Sequence, residues 1–251
     1  MSGRLVLVPN TLDFGVDAQT PLTDVLPLGA VRIAASLGCW IAENAKTTRA
    51  FLKRVDAVVP LARPLQEIEI VELPRPQKGA KPGGAAVDLA PLLAPALRGE
   101  DLGLISEAGM PAVADPGAAL VAAAHRAGVA VLPLAGPSAL LLALAASGLN
   151  GQSFAFVGYL PVDGAERGAR IRELEALSRR TGQTQLFIET PYRNEALLAA
   201  LLATLAPQTR LSVSVGLTLA EEWTRSDSVE RWRAKPRALP KDVPAVFCLL
   251  A

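Results

Sequence analysis

Short apolar runs alternate with helix-length segments along this chain, and the alternation limits the fold more than any other feature of the sequence. Arg4–Val8 and Asp101–Ser106 are apolar runs of strand length, each closed by turn-forming residues. Leu22–Leu37, Thr47–Val55 and Gly117–Ala127 have the apolar spacing of helices. Strands joined by helical connections pair in parallel, because the chain must cross back over the sheet. We therefore predict an α/β fold whose mostly parallel sheet is covered by helices.

The second half of the chain has a different order of elements. Strand-like segments become more frequent after residue 135, and they lie at 154–157, 185–188, 210–215, 218–220 and 245–250. This change predicts two α/β domains, residues 1–134 with a mostly parallel sheet and residues 135–251 with a mixed sheet. A length of 251 residues is sufficient for two such domains.

The composition is that of a folded protein, since 51% of the residues are hydrophobic and 20% are charged. A formal net charge of +1 gives no general attraction to polyanions, so nucleic-acid binding would need a local basic patch. The best candidate for a membrane span, Val129–Leu149, contains Pro133 and Gly136, which favour a buried strand, turn and helix. The first residues lack the pattern of a secretion signal. We expect a cytoplasmic protein without a membrane segment.

Metal and hydrolase chemistry find little support in the sequence. Cys39 and Cys248 lie far apart in apolar segments, which predicts reduced core residues, and no metal is expected. His125 falls within a predicted helix, where packing or surface exposure is a more common role than catalysis. The motifs G-x-G-x-x-G, G-x-x-x-x-G-K-[ST] and G-x-S-x-G do not occur. Dinucleotide binding, nucleoside triphosphate binding and triad hydrolysis therefore lose their main support.

Three loops follow predicted strands at the edge where ligands of parallel sheets collect. One contains Ser106–Pro111 and Asp115–Gly117, whose small residues allow the backbone to approach a ligand closely. A second, Leu134–Ala139, leads into a helix with free amide groups, and a third begins at Pro9. A single Gly-Pro turn is more often a simple connection. The three loops together predict a small-molecule cradle.

Four segments resemble the motifs of a known family in their residues, order and spacing, namely Leu104–Pro111, Asp115–Gly117, Leu134–Ala139 and Phe156–Pro161. With conservative changes they match the patterns S-D-A-G-T-P, D-P-G, P-G-P-x-A and G-F-L-P. The chain thus resembles the ribosomal RNA small-subunit 2′-O-ribose (cytidine) methyltransferases of the tetrapyrrole-methylase superfamily. A weaker match of Phe187–Arg193 to F-Y-E-S-x-H-R extends the resemblance into the second half.

The resemblance implies a two-domain tetrapyrrole-methylase-like fold, a homodimer, and S-adenosylmethionine bound in the cleft between the domains. The residues that it implies for the donor site are Pro9, Ser106, Glu107, Ala108, Gly109, Met110, Pro111, Asp115, Gly136, Pro137 and Ser138. Those that it implies for the acceptor are Asn10, Glu43, Glu189 and Arg193. Methyl transfer depends mainly on positioning the two reactants, so no metal is implied and no catalytic residue is assigned.

The identity of the acceptor stays open at this point. Ribosomal RNA is favoured by the motifs and by cations that could contact phosphates, which are Arg75, Lys78, Lys81, Arg167, Arg170 and Arg172. Such cations more commonly serve solubility. Asn10–Gly15 differs from the family's T-P-I-G-N-L, and Asn44–Lys46 stands where D-T-R is usual. The alternatives are a small-molecule or tetrapyrrole acceptor, and a non-catalytic scaffold that retains the fold. We expect a shortened family member that diverges in its first loops.

Overall fold

The computed structural model describes residues 3–13, 15–16, 19–74 and 88–251. The chain divides into two compact units, whose described residues lie within 3–13 and 21–137 for the first unit and within 15–20 and 138–251 for the second. Three predicted phosphate-contacting cations, Arg75, Lys78 and Lys81, lie outside the described residues, as does Phe14 of the first loop.

The described part of the first unit is built on a five-stranded sheet in the order β3-β2-β4-β1-β5, with all neighbouring strands parallel. Its strands are β1 Arg4–Leu7, β2 Cys39–Ala42, β3 Glu69–Glu72, β4 Leu102–Ile105 and β5 Ala130–Pro133. Leu7 pairs with Leu104, and Ala42 with Ile105. The carboxyl ends of β1, β2 and β4 therefore lie at one edge, as predicted for a parallel sheet.

Side chains alternate between the two faces of this sheet. Val6, Trp40 and Ile105 belong to one buried cluster, whereas Leu5 and Ile41 belong to another on the opposite side. Both faces are covered, which explains why the strands are continuous apolar runs rather than alternating ones.

The first unit has helices on its flanks, α1 Leu22–Val25, α2 Leu28–Ser36, α3 Ala45–Asp56, α4 Ala94–Leu97 and α5 Ala118–Arg126, with 3-10 turns at Leu65–Glu67 and Ala90–Leu93. The single helix predicted at Leu22–Leu37 is wrong, because the chain forms two helices there. Leu26 is extended, with φ −104° and ψ 132°, and Pro27 follows it. A residue before proline is driven out of the helical region, and proline lacks the amide hydrogen that would continue the helix.

The second unit contains a mixed sheet in the order β6-β7-β10-β8-β9, in which β6 and β7 are parallel and the other pairs are antiparallel. Its strands are β6 Phe154–Tyr159, β7 Thr184–Ile188, β8 Arg210–Val215, β9 Trp223–Ser228 and β10 Ala245–Leu250. Its helices are α6 Ala139–Ser147, α7 Gly164–Thr181, α8 Asn194–Thr204 and α9 Val229–Ala234, and a 3-10 turn lies at Pro191–Arg193. The mixed sheet matches the prediction for this half of the chain.

The strand predicted at residues 218–220 is wrong, because this segment reverses the chain between β8 and β9. Gly216 and Thr218 have φ values of +62° and +71°, and the Leu219 amide donates to the Gly216 carbonyl at 2.8 Å. These left-handed residues turn the chain within the connection between Val215 and Trp223, which lie opposite each other in the antiparallel pair. The β-branched Thr218 beside two apolar residues hid the turn from the sequence pattern.

The apolar segment predicted not to cross a membrane forms β5, a turn and α6. Over the ranges that the structure covers, no helix is both long and apolar enough to span a bilayer.

Candidate functional site

Four loops leave the first sheet at its carboxyl edge, after β1, β2, β4 and β5. The hydrogen bonds between parallel strands continue one residue past the strand ends. The Val8 amide donates to the Leu104 carbonyl at 2.9 Å, and the Glu43 amide donates to the Ile105 carbonyl at 3.2 Å. The loops therefore start from neighbouring points with their directions fixed by the sheet.

The loops after β1 and β4 are bonded to each other around Asn10. Its amide donates to the Gly109 carbonyl at 2.9 Å, and the Gly109 amide donates to the Thr11 carbonyl at 3.3 Å. The Asn10 side-chain amide donates to the carbonyls of Ser106 and Glu107, both at 3.1 Å. Asn10 is buried and holds the loop that follows β4. Its predicted contact with an acceptor stays a prediction.

Two glycines allow the loops to approach closely. A Cβ on Gly136 would lie 2.2 Å from the Cβ of Pro9, far inside van der Waals contact. Gly109 has φ +63°, and a Cβ there would lie 3.3 Å from Cδ2 of Leu12 and 3.5 Å from the Pro137 carbonyl oxygen. A side chain at Gly136 would therefore push the loops after β1 and β5 apart, whereas Gly109 is needed for its left-handed backbone.

The loop after β4 also stores backbone strain. Ala112 and Ala114 have φ values of +66° and +64°, and Gly117 has φ +130°. Left-handed backbone at a residue other than glycine costs about 1–2 kcal/mol. Surrounding contacts must hold these alanines in place, which is common in ligand-binding loops. Ala108 and Met110 in the same loop are half-buried, and Pro111 is buried.

Carboxylates gather near this loop. The Glu107 amide donates to Oε2 of Glu43 at 3.2 Å. Burial, followed by the negative charges of Glu43 and Glu107, raises the pKa of Asp115 to about 6. The Ser106 hydroxyl is buried and has no hydrogen-bond partner among the described residues. This combination of negative charge and an unpaired hydroxyl suits a polar ligand that carries positive charge.

Sequence reasoning missed the residue that anchors the first loop. Arg54 on α3 donates to both carboxylate oxygens of Asp13, at 3.2 and 3.0 Å, and to the Thr11 hydroxyl at 3.2 Å. Asp13 is buried, so this ion pair is largely shielded from water. Arg54 follows the loop by 41 residues and has no local signature that marks it as a loop anchor.

Three of the predicted site residues belong to the second unit. Ser138 precedes α6, and its side chain makes no capping hydrogen bond. Glu189 and Arg193 form an ion pair, with Nη2 of Arg193 2.8 Å from Oε1 of Glu189. The Glu189 carboxylate also accepts the Thr190 amide at 2.7 Å. Glu189 therefore holds Arg193 rather than lying open to solvent.

The described residues contain no group of three or more histidine, cysteine, aspartate or glutamate side chains that could hold a metal ion. Cys39 and Cys248 are free thiols and are buried, as predicted for core residues.

Comparisons with known proteins place these loops in a family context. The family described as Tetrapyrrole (Corrin/Porphyrin) Methylases matches residues 23–231. The chain is similar to Ribosomal RNA small subunit methyltransferase I of Mesorhizobium japonicum, with 38% identity over 57% of this chain and 48% of that protein. The protein of the same name from Halalkalibacterium halodurans is 36% identical over 61% of this chain and 51% of its own length. The chain spans about half the length of these relatives.

Solved structures share the fold across nearly the whole chain. The methyltransferase CobJ has a TM-score of 0.57 at 17% identity, covering 99% of this chain and 94% of that chain. Uroporphyrin-III C-methyl transferase from Thermus thermophilus, complexed with S-adenyl homocysteine, has a TM-score of 0.53 at 21% identity, covering 99% and 97%. At such low sequence identity, these structures show a shared fold only. The structural similarity confirms the predicted fold class.

Proposed function

We propose, because the chain belongs to the Tetrapyrrole (Corrin/Porphyrin) Methylases, that it transfers a methyl group from S-adenosylmethionine to a ribose 2′-hydroxyl of small-subunit ribosomal RNA. The acceptor is supported by the chain's similarity to the two proteins named Ribosomal RNA small subunit methyltransferase I. The observation that carries the proposal is the close approach of the first-unit loops around Gly109 and Gly136. Glycine has no side chain, so the backbone at these two positions can lie close to a neighbouring loop.

The charges of the first unit fit this donor. Glu43, Glu107 and Asp115 interact unfavourably, and a ligand with positive charge relieves that repulsion. S-adenosylmethionine is such a ligand, since it carries a sulfonium and an ammonium group. The buried hydroxyl of Ser106 provides a further polar contact that the described residues leave unused.

In this reaction the protein mainly positions the methyl donor and the acceptor. Bound S-adenosylmethionine would supply the electrophilic methyl carbon. Asn10 and Pro9 lock the loops after β4 and β5, so their backbone groups are fixed before any ligand arrives. A reaction that needs the acceptor oxygen in line with that carbon gains most from such rigidity.

Calorimetric titration with S-adenosylmethionine tests the donor site through Gly136→Ala. The added methyl group would lie 2.2 Å from the Cβ of Pro9, so one loop must move. We expect about tenfold or greater loss of affinity, because misplacements of about 1 Å commonly have effects of that size or more. Gly151→Ala is the matched control, because a Cβ there meets nothing within 4 Å.

The acceptor is tested by following a radiolabelled methyl group from the donor into small ribosomal subunits or into a tetrapyrrole. Label in ribose of the small-subunit RNA is the expected result. Label in the tetrapyrrole alone would overturn the acceptor, and a wild-type protein that binds no donor would overturn the methyltransferase and leave the scaffold alternative.

We also propose that the protein is a cytoplasmic homodimer. Ribosomal RNA as acceptor supports the cytoplasm. The dimer is supported by α6, which leaves Leu141 and Leu142 exposed although the helix is composed almost entirely of alanine and leucine. Exposed leucines side by side favour burial against another protein surface.

A further inference from the structure

The two tyrosines of the chain lie at the same edge of the second sheet. Tyr159 is the last residue of β6 and is 56% exposed, and Tyr192, in the turn after β7, is 68% exposed. β6 and β7 are parallel neighbours, with Tyr159 opposite Ile188. The carboxyl ends of two adjacent strands therefore present both aromatic rings to solvent.

A cation is held beside these rings. The guanidinium carbon of Arg193 lies 5.4 Å from the centroid of the Tyr192 ring. Nη2 of Arg193 donates to the Glu189 carboxylate at 2.8 Å, and Nε donates to the Thr190 hydroxyl at 3.1 Å. The Glu189 side chain is only 1% exposed, so this pair is partly desolvated and the guanidinium is fixed in place.

The sheet brings the second ring to the same end as this cation. Tyr159 ends β6 opposite Ile188, and Glu189, which holds Arg193, directly follows Ile188. We call Tyr159, Tyr192 and Arg193 together the tyrosine edge.

Two exposed aromatic rings beside a fixed guanidinium have the chemistry that binds unstacked nucleotides. Every base has a π-face that stacks on tyrosine, and a guanidinium bonds to phosphate or stacks on a base. We propose that the tyrosine edge binds unstacked bases of a single-stranded segment of RNA. The inference rests on the proposed function, which supplies RNA as the acceptor. It adds the surface to which that RNA binds.

One cation on the adjoining helix is consistent with this ligand. α7 begins five residues after Tyr159, and Arg172 on it is exposed and has no ion pair or hydrogen bond within the described ranges. Protein partners also favour tyrosine and arginine, but at positions from which surrounding contacts exclude water. Arg193 is instead bonded to the polar groups of Glu189 and Thr190, and both tyrosines are exposed.

The test measures binding of a fluorescein-labelled single-stranded RNA oligonucleotide by anisotropy, without methyl donor. Tyr159→Ala and Tyr192→Ala should each raise Kd by about 5- to 150-fold, the size of one lost base–aromatic stack. Tyr159→Phe and Tyr192→Phe are the matched controls and should bind within about twofold of wild type, because phenylalanine keeps the stacking face. Both positions are exposed, so thermal denaturation should show unchanged folding.

The outcomes separate this inference from the proposed function. Alanine variants that bind RNA like the wild type, or phenylalanine variants as weak as alanine, would overturn the tyrosine edge while donor titration and methyl transfer stand untouched. Unchanged RNA binding together with lost self-association would assign the rings to a protein contact and also overturn it. Tyrosine-dependent RNA binding without methyl transfer would support the edge and reject the methyltransferase.

Discussion

Asp115 shows how one residue links the candidate site to stability. Its pKa is about 6 in the folded protein, mainly because burial disfavours the charged carboxylate, against an ordinary value of 3.8. Between these two pH values the folded state binds more protons than the unfolded state. The free energy of unfolding therefore falls as pH rises through this window.

Replacing Asp115 with asparagine removes that ionisation. We expect Asp115→Asn to gain stability relative to wild type as pH rises from about 4 to about 6, and to keep the gain at neutral pH. Urea denaturation at several pH values measures the difference. Asp24→Asn, at an exposed carboxylate on α1, is the control that should follow the wild type. Parallel curves for Asp115→Asn and wild type would contradict the raised pKa.

The loop after β1 is held in place by the helix α3. The loop carries residues that differ from the family pattern, yet Arg54 on α3 clamps it through Asp13 and Thr11. The same loop bonds to Ser106, Glu107 and Gly109 through Asn10. A change on α3 should therefore reach the proposed donor loop without touching a ligand.

Arg54→Met should destabilise the protein by about 3 kcal/mol, because a buried carboxylate loses its partner. It should also weaken S-adenosylmethionine binding, since the loop after β4 loses support. Arg4→Met is the matched control, because its pair with Asp101 is exposed and such surface pairs contribute about 1 kcal/mol or less. Chemical denaturation and calorimetry measure the two effects. Equal destabilisation by both variants would mean that the Asp13 pair is not a structural anchor.

For the whole molecule, the exposed face of α6 bears on the proposed homodimer. Leu141→Arg places a charge where a partner surface would bury leucine, so sedimentation velocity should show a shift from dimer to monomer. Leu28→Arg changes a similarly exposed leucine of the first unit and should leave the dimer intact. A wild-type protein that sediments as a monomer at all accessible concentrations would contradict the homodimer.

Much of the fold could be predicted from the sequence because its signals are local. The buried strands β1, β2 and β4 are continuous apolar runs, and the helices between them repeat apolar residues at helical spacing. Local signals failed where two of them competed. Pro27 divided an otherwise helical run, and left-handed backbone at Gly216 and Thr218 turned a strand-like segment into a reversal.

By itself the sequence determined the order of most elements, the parallel first sheet and the glycine-rich loops at its carboxyl edge, since each depends on residues close along the chain. Only the tertiary structure decided what those loops touch. Asn10 bonds to Ser106 across 96 residues, and Arg54 reaches back to Asp13 across 41. Such pairings depend on how the folded sheet and helices bring distant segments together. The periodicity of apolar residues along the chain does not specify which distant residues will meet.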